Sequence, residues 1–262
     1  MNFKMSILIS VLFVFLNVNA QEGKNTGRSS ITTEDETSEK EKYQPFQITT
    51  ALKNMHLWRG FRSTDEALTT TQLYYISKNK NFTAGFWTGV SFTGNYTEFD
   101  YYITYKYENW SFSIWDINNY SNYPDADVFN YDIGDTSRYL DLLITYSFDK
   151  MPIQLTWSTI FLGRDTYNDR NGNLKNAFSS YAEISYSLID NSDSNLGVFV
   201  GGAFSFKTEA NFYGPRTGFC NIGLAYSKSL KIIGEYNAPV SAKAMWNNLQ
   251  EYGAFEVAVN LF

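Results

Sequence analysis

The sequence predicts an all-β protein, a single antiparallel transmembrane β-barrel of about twelve strands, and three observations support this. First, apolar and polar residues alternate in segments of roughly ten residues from Gln47 to Phe262. Second, short and long connections between these segments alternate along the chain. Third, the aromatic content is 18%, and no apolar run after residue 20 is long enough to cross a bilayer as a helix. A chain of this kind can enter a membrane only as a closed barrel.

The first twenty residues are typical of a secretory signal peptide. Lys4 gives a basic start, Met5–Leu16 is apolar, and Ala20 is a small residue at the predicted cleavage site. A membrane anchor is the alternative, but the apolar run is shorter than the roughly 20 residues that a spanning helix needs. We therefore expect an exported protein that begins at Gln21.

The segment that follows the signal peptide is predicted to be a disordered leader. Residues 21–44 are polar and charged, and Thr32–Lys42 contains no apolar residue that could be buried. The barrel then occupies residues 45–262, so the chain divides into signal peptide, leader and barrel.

The alternation divides into twelve predicted strands: Gln47–Arg59, Leu68–Ser77, Phe82–Phe92, Tyr96–Tyr107, Trp110–Asn118, Tyr139–Phe148, Ile153–Leu162, Phe178–Leu188, Leu196–Phe206, Phe219–Tyr226, Leu230–Tyr236 and Tyr252–Leu261. The even-numbered connections are tight, including Ser227–Ser229. Four of the six odd-numbered connections are long and polar: 119–138, 163–177, 207–218 and 237–251. Short turns at one end and longer loops at the other are typical of outer-membrane barrels.

Side-chain chemistry predicts which face of each strand meets lipid. In the sixth strand, Leu140, Leu142 and Ile144 form one face, and Asp141 and Thr145 lie on the other. A charge facing lipid near the midplane costs about 2–4 kcal/mol, so the polar face is expected to look into the lumen.

The same reasoning predicts a set of side chains that line the lumen and contact a solute there: Arg59, Trp87, Glu98, Asp100, Tyr102, Lys106, Asp141, Glu183 and Glu235. The acidic excess of this set would favour cations. Arg59 is expected to pair with Glu98 or Asp100, with contact to a solute or to a lipid phosphate as alternatives. Twelve strands enclose a lumen that is expected to be narrow or occluded.

Composition argues against several other functions. A net charge of −6 without clustered Lys and Arg argues against nucleic acid as a partner. His56 is the only histidine and Cys220 the only cysteine, so the sequence predicts no metal site, no cofactor and no disulfide. His56 is placed in the first strand as a structural polar residue, and we do not expect an enzyme.

Three short motifs carry a family resemblance. Asn54–Ser63 contains Trp-Arg-Gly, Gly85–Ser91 contains Gly-Phe-Trp, and Glu98–Tyr102 opens a strand with acidic residues. In these motifs the chain resembles the Gcw_chp-type family of exported bacterial proteins, which has no assigned activity. The resemblance covers mainly Gln47–Tyr107 and implies an outer-membrane barrel of unassigned role.

Together these features predict a barrel in the outer membrane of a Gram-negative bacterium, in contact with lipid and lipopolysaccharide. A narrow channel or uptake pore for small polar solutes is the favoured function, because the inner face is polar. The alternative is a non-conducting surface or structural barrel whose outer loops bind a partner. A barrel enzyme and a secreted soluble sandwich are weaker alternatives.

Overall fold

A computed structural model of the chain describes residues 43–261 except 123–126, 128, 234 and 235. The predicted signal peptide and nearly all of the predicted leader lie outside these residues and stay predictions. Within the described part no helix has the length and apolarity needed to cross a bilayer. The strands there are β1 Phe46–Lys53, β2 His56–Trp58, β3 Phe61–Thr64, β4 Leu68–Ile76, β5 Phe82–Ser91, β6 Thr97–Tyr107, β7 Trp110–Asn118, β8 Arg138–Ser147, β9 Ile153–Gly163, β10 Thr166–Asn168, β11 Leu174–Asn176, β12 Ser179–Asp190, β13 Ser194–Ser205, β14 Gly218–Ile233, β15 Tyr236–Asn247 and β16 Tyr252–Asn260.

Twelve of these strands close into an antiparallel barrel. Their order around the wall is β1, β4, β5, β6, β7, β8, β9, β12, β13, β14, β15 and β16, which returns to β1. The predicted fold class is confirmed. The other four strands form two hairpins outside the wall, β2 with β3 and β10 with β11.

The connections differ in length between the two ends of the barrel. At the end we call the long-loop end they are 54–67, 92–96, 119–137, 164–178, 206–217 and 248–251. At the opposite end, called the short-turn end, they are 77–81, 108–109, 148–152, 191–193 and 234–235. The predicted alternation of short and long connections therefore holds for most of the chain.

The alternation of faces matches the sequence prediction. Ile103 and Tyr105 on the outside of β6 are 48% and 51% exposed, whereas Asp100 on its inner face is fully buried. In β8, Asp141 is fully buried in the lumen, and Leu142 and its outward neighbours remain partly exposed. The exterior is thus an apolar wall, because every second residue of each strand faces away from the lumen.

A pair of adjacent lysine substitutions tests this assignment. Ile184 in β12 points outward and is 48% exposed, and Ser185 is the next residue and points inward. Ile184→Lys is expected to lower the free energy of unfolding in lipid vesicles by about 2–4 kcal/mol, because it puts a charge in hydrocarbon. Ser185→Lys is the control and is expected to cost much less in the same urea titration. Equal costs for the two variants would contradict the assigned faces.

The predicted first strand is too long, and the predicted tenth and eleventh strands, Phe219–Tyr226 and Leu230–Tyr236, fall almost wholly in the single strand β14. The sequence predicts a first strand that runs to Arg59, but β1 ends at Lys53, and the chain then turns into the lumen. The predicted turn at Ser227–Ser229 and most of the predicted long loop at 237–251 are strand, since β14 and β15 pair continuously from Ile222 and Trp246 to Lys231 and Asn237. Ser227 and Ser229 lie on the inner face, but Lys228 lies on the outer face between Tyr226 and Leu230 and interrupts the apolar alternation there.

The barrel closes through a short seam between β1 and β16. Within the described residues three pairs are in register there, Ala51 to Lys53 with Ala258 to Asn260, compared with eight between β1 and β4. Beyond Lys53 the side chain of Asn54 continues the pairing: its Nδ2 donates to Phe255 O at 3.0 Å, and its Oδ1 accepts from Val257 N at 2.7 Å. One side-chain amide therefore replaces a strand residue at this point.

Candidate functional site

A hairpin inside the barrel is the main feature of the lumen. The chain enters the lumen after β1, forms β2 and β3, and returns to the wall at β4; we call residues 56–64 the inner hairpin. Trp58 pairs with Phe61, so the turn consists of Arg59 and Gly60, with φ of 46° and 87°. Positive φ at both turn residues is typical of a type I′ turn, which joins two strands tightly. Arg59 is an unusual residue there, because side chains other than Asn, Asp and Gly are disfavoured in that conformation.

Glycine is needed at position 60 for two reasons: its φ is positive, and β14 leaves no space for a Cβ atom. A Cβ atom at Gly60 would lie 2.0 Å from the carbonyl oxygen of Cys220 in β14. The carbonyl of Gly60 accepts hydrogen bonds from Asn247 Nδ2 at 2.9 Å and from the Tyr252 hydroxyl at 2.6 Å. The tip of the hairpin is therefore pressed against β14, β15 and β16.

Alanine substitutions at two glycines separate these effects. Gly60 and Gly94 both have positive φ, but a Cβ at Gly60 would clash with β14, whereas nothing lies within 4 Å of a Cβ at Gly94. Gly94→Ala is expected to cost about 1–2 kcal/mol of folding free energy for the backbone conformation alone. Gly60→Ala is expected to cost about 1–3 kcal/mol more, because it also forces two backbones apart. Thermal unfolding in detergent measures both, and identical midpoints would contradict the contact.

Arg59 crosses the lumen to the opposite wall. Its guanidinium donates to both carboxylate oxygens of Asp141 in β8, with Nη1 to Oδ1 at 3.1 Å, and to the hydroxyl of Tyr213. Around the barrel β8 lies five strands from β1 in one direction and seven in the other. Arg59 and Asp141 are both fully buried. The hairpin that starts from β1 is thus tied to the far side of the barrel.

The base of the inner hairpin is held by Glu256 of β16. Its Oε2 accepts from the backbone N–H of Leu57 at 2.9 Å, and its Oε1 lies 3.2 Å from Lys53 Nζ. Lys243 Nζ of β15 donates to the carbonyl of Leu57 at 3.4 Å. Lys53 and Lys243 therefore lie beside Glu256, and the predicted set of lumen charges included neither lysine.

His56 lies in this anchor and not in the first strand, which corrects the sequence prediction. Its ring stacks on Trp87 of β5 with centroids 5.3 Å apart, and its Nδ1 lies 3.8 Å from Glu256 Oε2, too far for a hydrogen bond. Burial is the main cause that lowers the pKa of His56 to about 4, and the nearby Lys53 and Lys243 lower it further. His56 is therefore neutral at pH 7.

Aromatic rings fill the space between the hairpin and the wall. Trp58 stacks on Tyr213 at 5.4 Å and contacts Tyr139 of β8 and Phe212, each at 5.9 Å. Phe212 and Tyr213 belong to the loop 206–217, which folds over the hairpin from the long-loop end. Tyr213 is fully buried, and burial raises the pKa of its hydroxyl. Two segments from different parts of the chain thus pack together inside the barrel.

The predicted lumen residues that the structure describes face inward, but they do not form one site. Glu98 accepts from Asn119 Nδ2 at 2.8 Å, and Asp100 accepts from the backbone N–H of Asn118 at 3.1 Å. Neither carboxylate pairs with Arg59 as predicted, because the guanidinium is directed at Asp141 on another strand. These two carboxylates are instead part of the wall near the long-loop end.

Other predicted residues lie at different heights. Tyr102 stacks on Trp115 with centroids 4.1 Å apart, and Glu183 accepts from Asn221 Nδ2 at 2.9 Å. Lys106 faces the short-turn end and is partly buried. Glu235 lies outside the described residues, so its predicted lumen position stays a prediction. Contact with a solute stays a prediction for the whole set.

Sequence reasoning missed three side chains that matter most in the lumen: Lys53, Lys243 and Tyr213. Lys53 and Lys243 carry buried charges, and their positions in the alternation could have placed them on the inner face. Tyr213 gave no signal, because it lies in a loop whose path depends on the hairpin.

The half of the lumen near the short-turn end has a different lining. Most of its inward residues are small and hydroxyl-bearing, among them Thr104, Ser113, Thr145, Thr156, Ser185, Ser227 and Ser241, whereas Tyr74 and Lys106 are the large exceptions. Thr104 and Ser113 hydrogen-bond to each other at 2.8 Å. The lumen thus has an aromatic and ionic half that holds the hairpin and a polar half of small side chains.

Comparison with known proteins gives limited similarity. No family model and no curated protein matches the chain. Among solved structures, the outer membrane protein opdK from Pseudomonas aeruginosa is similar at 11% identity and a TM-score of 0.36, over 83% of this chain and 60% of that one. A bacterial polysaccharide outer membrane secretin is similar at 10% identity and a TM-score of 0.35, over 82% of this chain and 95% of that one. The chain therefore spans less than two thirds of the first of these proteins.

Proposed function

We propose that this chain is an outer-membrane barrel that is plugged by its own inner hairpin and does not conduct in its resting state. Of the two functions expected from the sequence, this corresponds to the non-conducting surface or structural barrel. Its long loops face the cell exterior and are the surface on which a partner would bind. The proposal places no chemistry in the lumen, and His56 serves there as part of the anchor.

One observation carries the proposal: the inner hairpin contacts the wall around its circumference. His56 stacks on β5 through Trp87, Arg59 reaches β8, and Gly60 meets β14 and β15. Leu57 is bound to Glu256 of β16 and is fully buried. Since these contacts lie on both sides of the lumen, they support a lumen that is sealed at the level of the hairpin.

Planar bilayer recordings test the proposal. The folded full-length chain is expected to give no conductance steps. A variant in which residues 56–64 are replaced by a short Gly-Ser linker is expected to give steps, because it keeps all twelve wall strands and loses the plug. Steady conductance from the unmodified chain would contradict the proposal, and so would a silent deletion variant that still folds, as judged by a heat-modifiable band on gels.

The hydroxyl-lined half of the lumen favours a second candidate, a gated uptake pore for a small polar solute. In that case the hairpin would leave the lumen when a partner acts on the loops. A reducible bis-methanethiosulfonate cross-linker between Arg62→Cys and Tyr252→Cys would hold the hairpin in place, because a hydrogen bond from Arg62 N to the Tyr252 hydroxyl at 2.9 Å shows that the two positions lie about one tyrosine side chain apart. Solute uptake by cells that is lost on cross-linking and restored on reduction would support the gated pore over the closed barrel.

A further inference from the structure

The outer wall contains a groove, although alternation alone would be satisfied by large apolar side chains at every outward position. Four residues lie side by side across β9, β12, β13 and β14 in the order Trp157, Ala182, Gly202 and Phe219. All four line the groove, whose volume is about 800 Å³. Two small residues thus lie between two large rings in one register row, and the wall is recessed there by the depth of a side chain.

The neighbouring rows close the recess above and below. Toward the short-turn end Leu155, Ile184 and Val200 are all large and line the groove. Toward the long-loop end, Phe204 packs edge-on against Trp157 with centroids 5.3 Å apart. The register of β13 and β14 shifts between Gly201 and Gly202, and this bulge forms part of the recess. The concavity is therefore built from specific residues and is not a gap between loops.

Two exposed cations lie beside the long-loop end of the groove. Lys207 is the residue after Phe206, and the ring of Phe206 lies 6.2 Å from that of Trp157. Arg216 is the residue before Thr217, which lines the groove. Glu209 is the only acidic residue in this loop, 206–217. The loop 119–137, in contrast, contains four aspartates and no Lys or Arg. Positive charge is thus placed where an anionic headgroup would lie if an acyl chain occupied the groove.

We propose that this groove binds one acyl chain of a phosphate-bearing membrane lipid, with the phosphate against Lys207 and Arg216. The inference rests on the membrane location in the proposed function and not on the plugged lumen. The wall around the groove faces hydrocarbon, so an acyl chain is the flexible apolar group available to fill it. A second copy of the barrel would present a convex wall, which does not fill a recess two residues wide.

Fluorescence quenching in vesicles tests the proposal. Trp110→Phe with Trp246→Phe leaves Trp157 as the outward-facing tryptophan, since the remaining three face the lumen. This background is reconstituted in phosphatidylcholine vesicles with small amounts of brominated phosphatidylglycerol or brominated phosphatidylcholine. The anionic lipid is expected to quench Trp157 at lower mole fraction, with a preference of about fivefold for each basic residue that contacts the headgroup.

Three variants in the same background separate the groove from general lipid contact. Ala182→Leu fills the recess and is expected to abolish the preference, whereas Ala244→Leu, on the outer face of β15 and away from the groove, is the matched control and is expected to keep it. Lys207→Gln with Arg216→Gln is expected to make the two lipids equivalent.

Equal quenching by both lipids in the parent background, or an unchanged preference in Ala182→Leu, overturns the proposal. A cross-linked dimer that Ala182→Leu abolishes, without any lipid preference, overturns it in favour of a second copy. Conductance by the unmodified chain would contradict the plugged barrel and leave this result unaffected.

Discussion

Replacement of Arg59 by alanine is expected to lower the free energy of unfolding by about 3–5 kcal/mol, among the largest single-residue effects in this chain. The physical reason is that Asp141 would stay fully buried without its cation, and an uncompensated buried charge is costly. The hydrogen bond to Tyr213 and the contact with the Trp58 ring, 4.6 Å from the guanidinium carbon, would be lost as well. Urea titration of the chain folded into vesicles measures the change.

Asparagine at position 59 separates the turn from the ion pair. Asparagine adopts positive φ more readily than arginine, so Arg59→Asn relieves the backbone and still removes the charge. We expect Arg59→Asn to be nearly as destabilised as Arg59→Ala, and Arg59→Asn with Asp141→Asn to recover part of the loss, because no charge then remains unpaired. A double variant that is less stable than either single variant would show that Asp141 has another role.

Acidification is the second change with a large expected effect, through His56. The folded pKa is about 4 and the unfolded value about 6.5, so below pH 6.5 the unfolded chain binds a proton that the folded chain does not. Stability contributed by neutral His56 is therefore complete above pH 6.5 and is lost as the pH falls toward 4, by ~3 kcal/mol in total. Proton binding would place a third cation beside Lys53 and Lys243, with Glu256 as the facing carboxylate.

His56→Gln isolates this contribution from other titrating groups. Its absolute stability is expected to be lower than that of the parent above pH 6.5, because the stacking on Trp87 is lost. Its stability should nevertheless change less than that of the parent chain between about pH 6.5 and 4. The comparison is therefore between the two pH slopes, measured by thermal unfolding in detergent, and parallel slopes would show that His56 is not the group that titrates.

The wall of the barrel was predictable from the sequence because its signal is local. Alternation within a segment such as Tyr139–Phe148 depends only on which face of one strand meets lipid, and each segment carries that information itself. The positions of the second to ninth wall strands and the inward position of Asp141 follow from it, whereas the total of twelve was reached with β14 divided into two strands and β15 predicted as a loop. The boundary errors at β14 and β15 arose where two serines, which suit both turns and inward strand positions, flank Lys228, a charged residue on the outer face.

The inner hairpin was not predictable in the same way. Alternation continues through Asn54 and across His56–Trp58, so the segment reads as one long strand, although β1 ends at Lys53. The available signal was Arg59-Gly60 between Trp58 and Phe61, a two-residue connection between apolar residues. The Arg59 side chain reaches Asp141 and not Glu98 because of the position of the hairpin along the barrel axis. Contacts with distant strands set that position, so the local sequence pattern does not predict it.

The short seam between β1 and β16 links closure of the barrel to the position of the hairpin. Lys53 and Glu256 lie on the first and last strands of the wall, and Glu256 also binds the backbone of Leu57. The Glu256 carboxylate therefore joins β1 to β16 and also holds Leu57 of the inner hairpin. Displacement of residues 56–64 from the lumen would therefore remove a partner of Glu256 beside the strands that close the barrel.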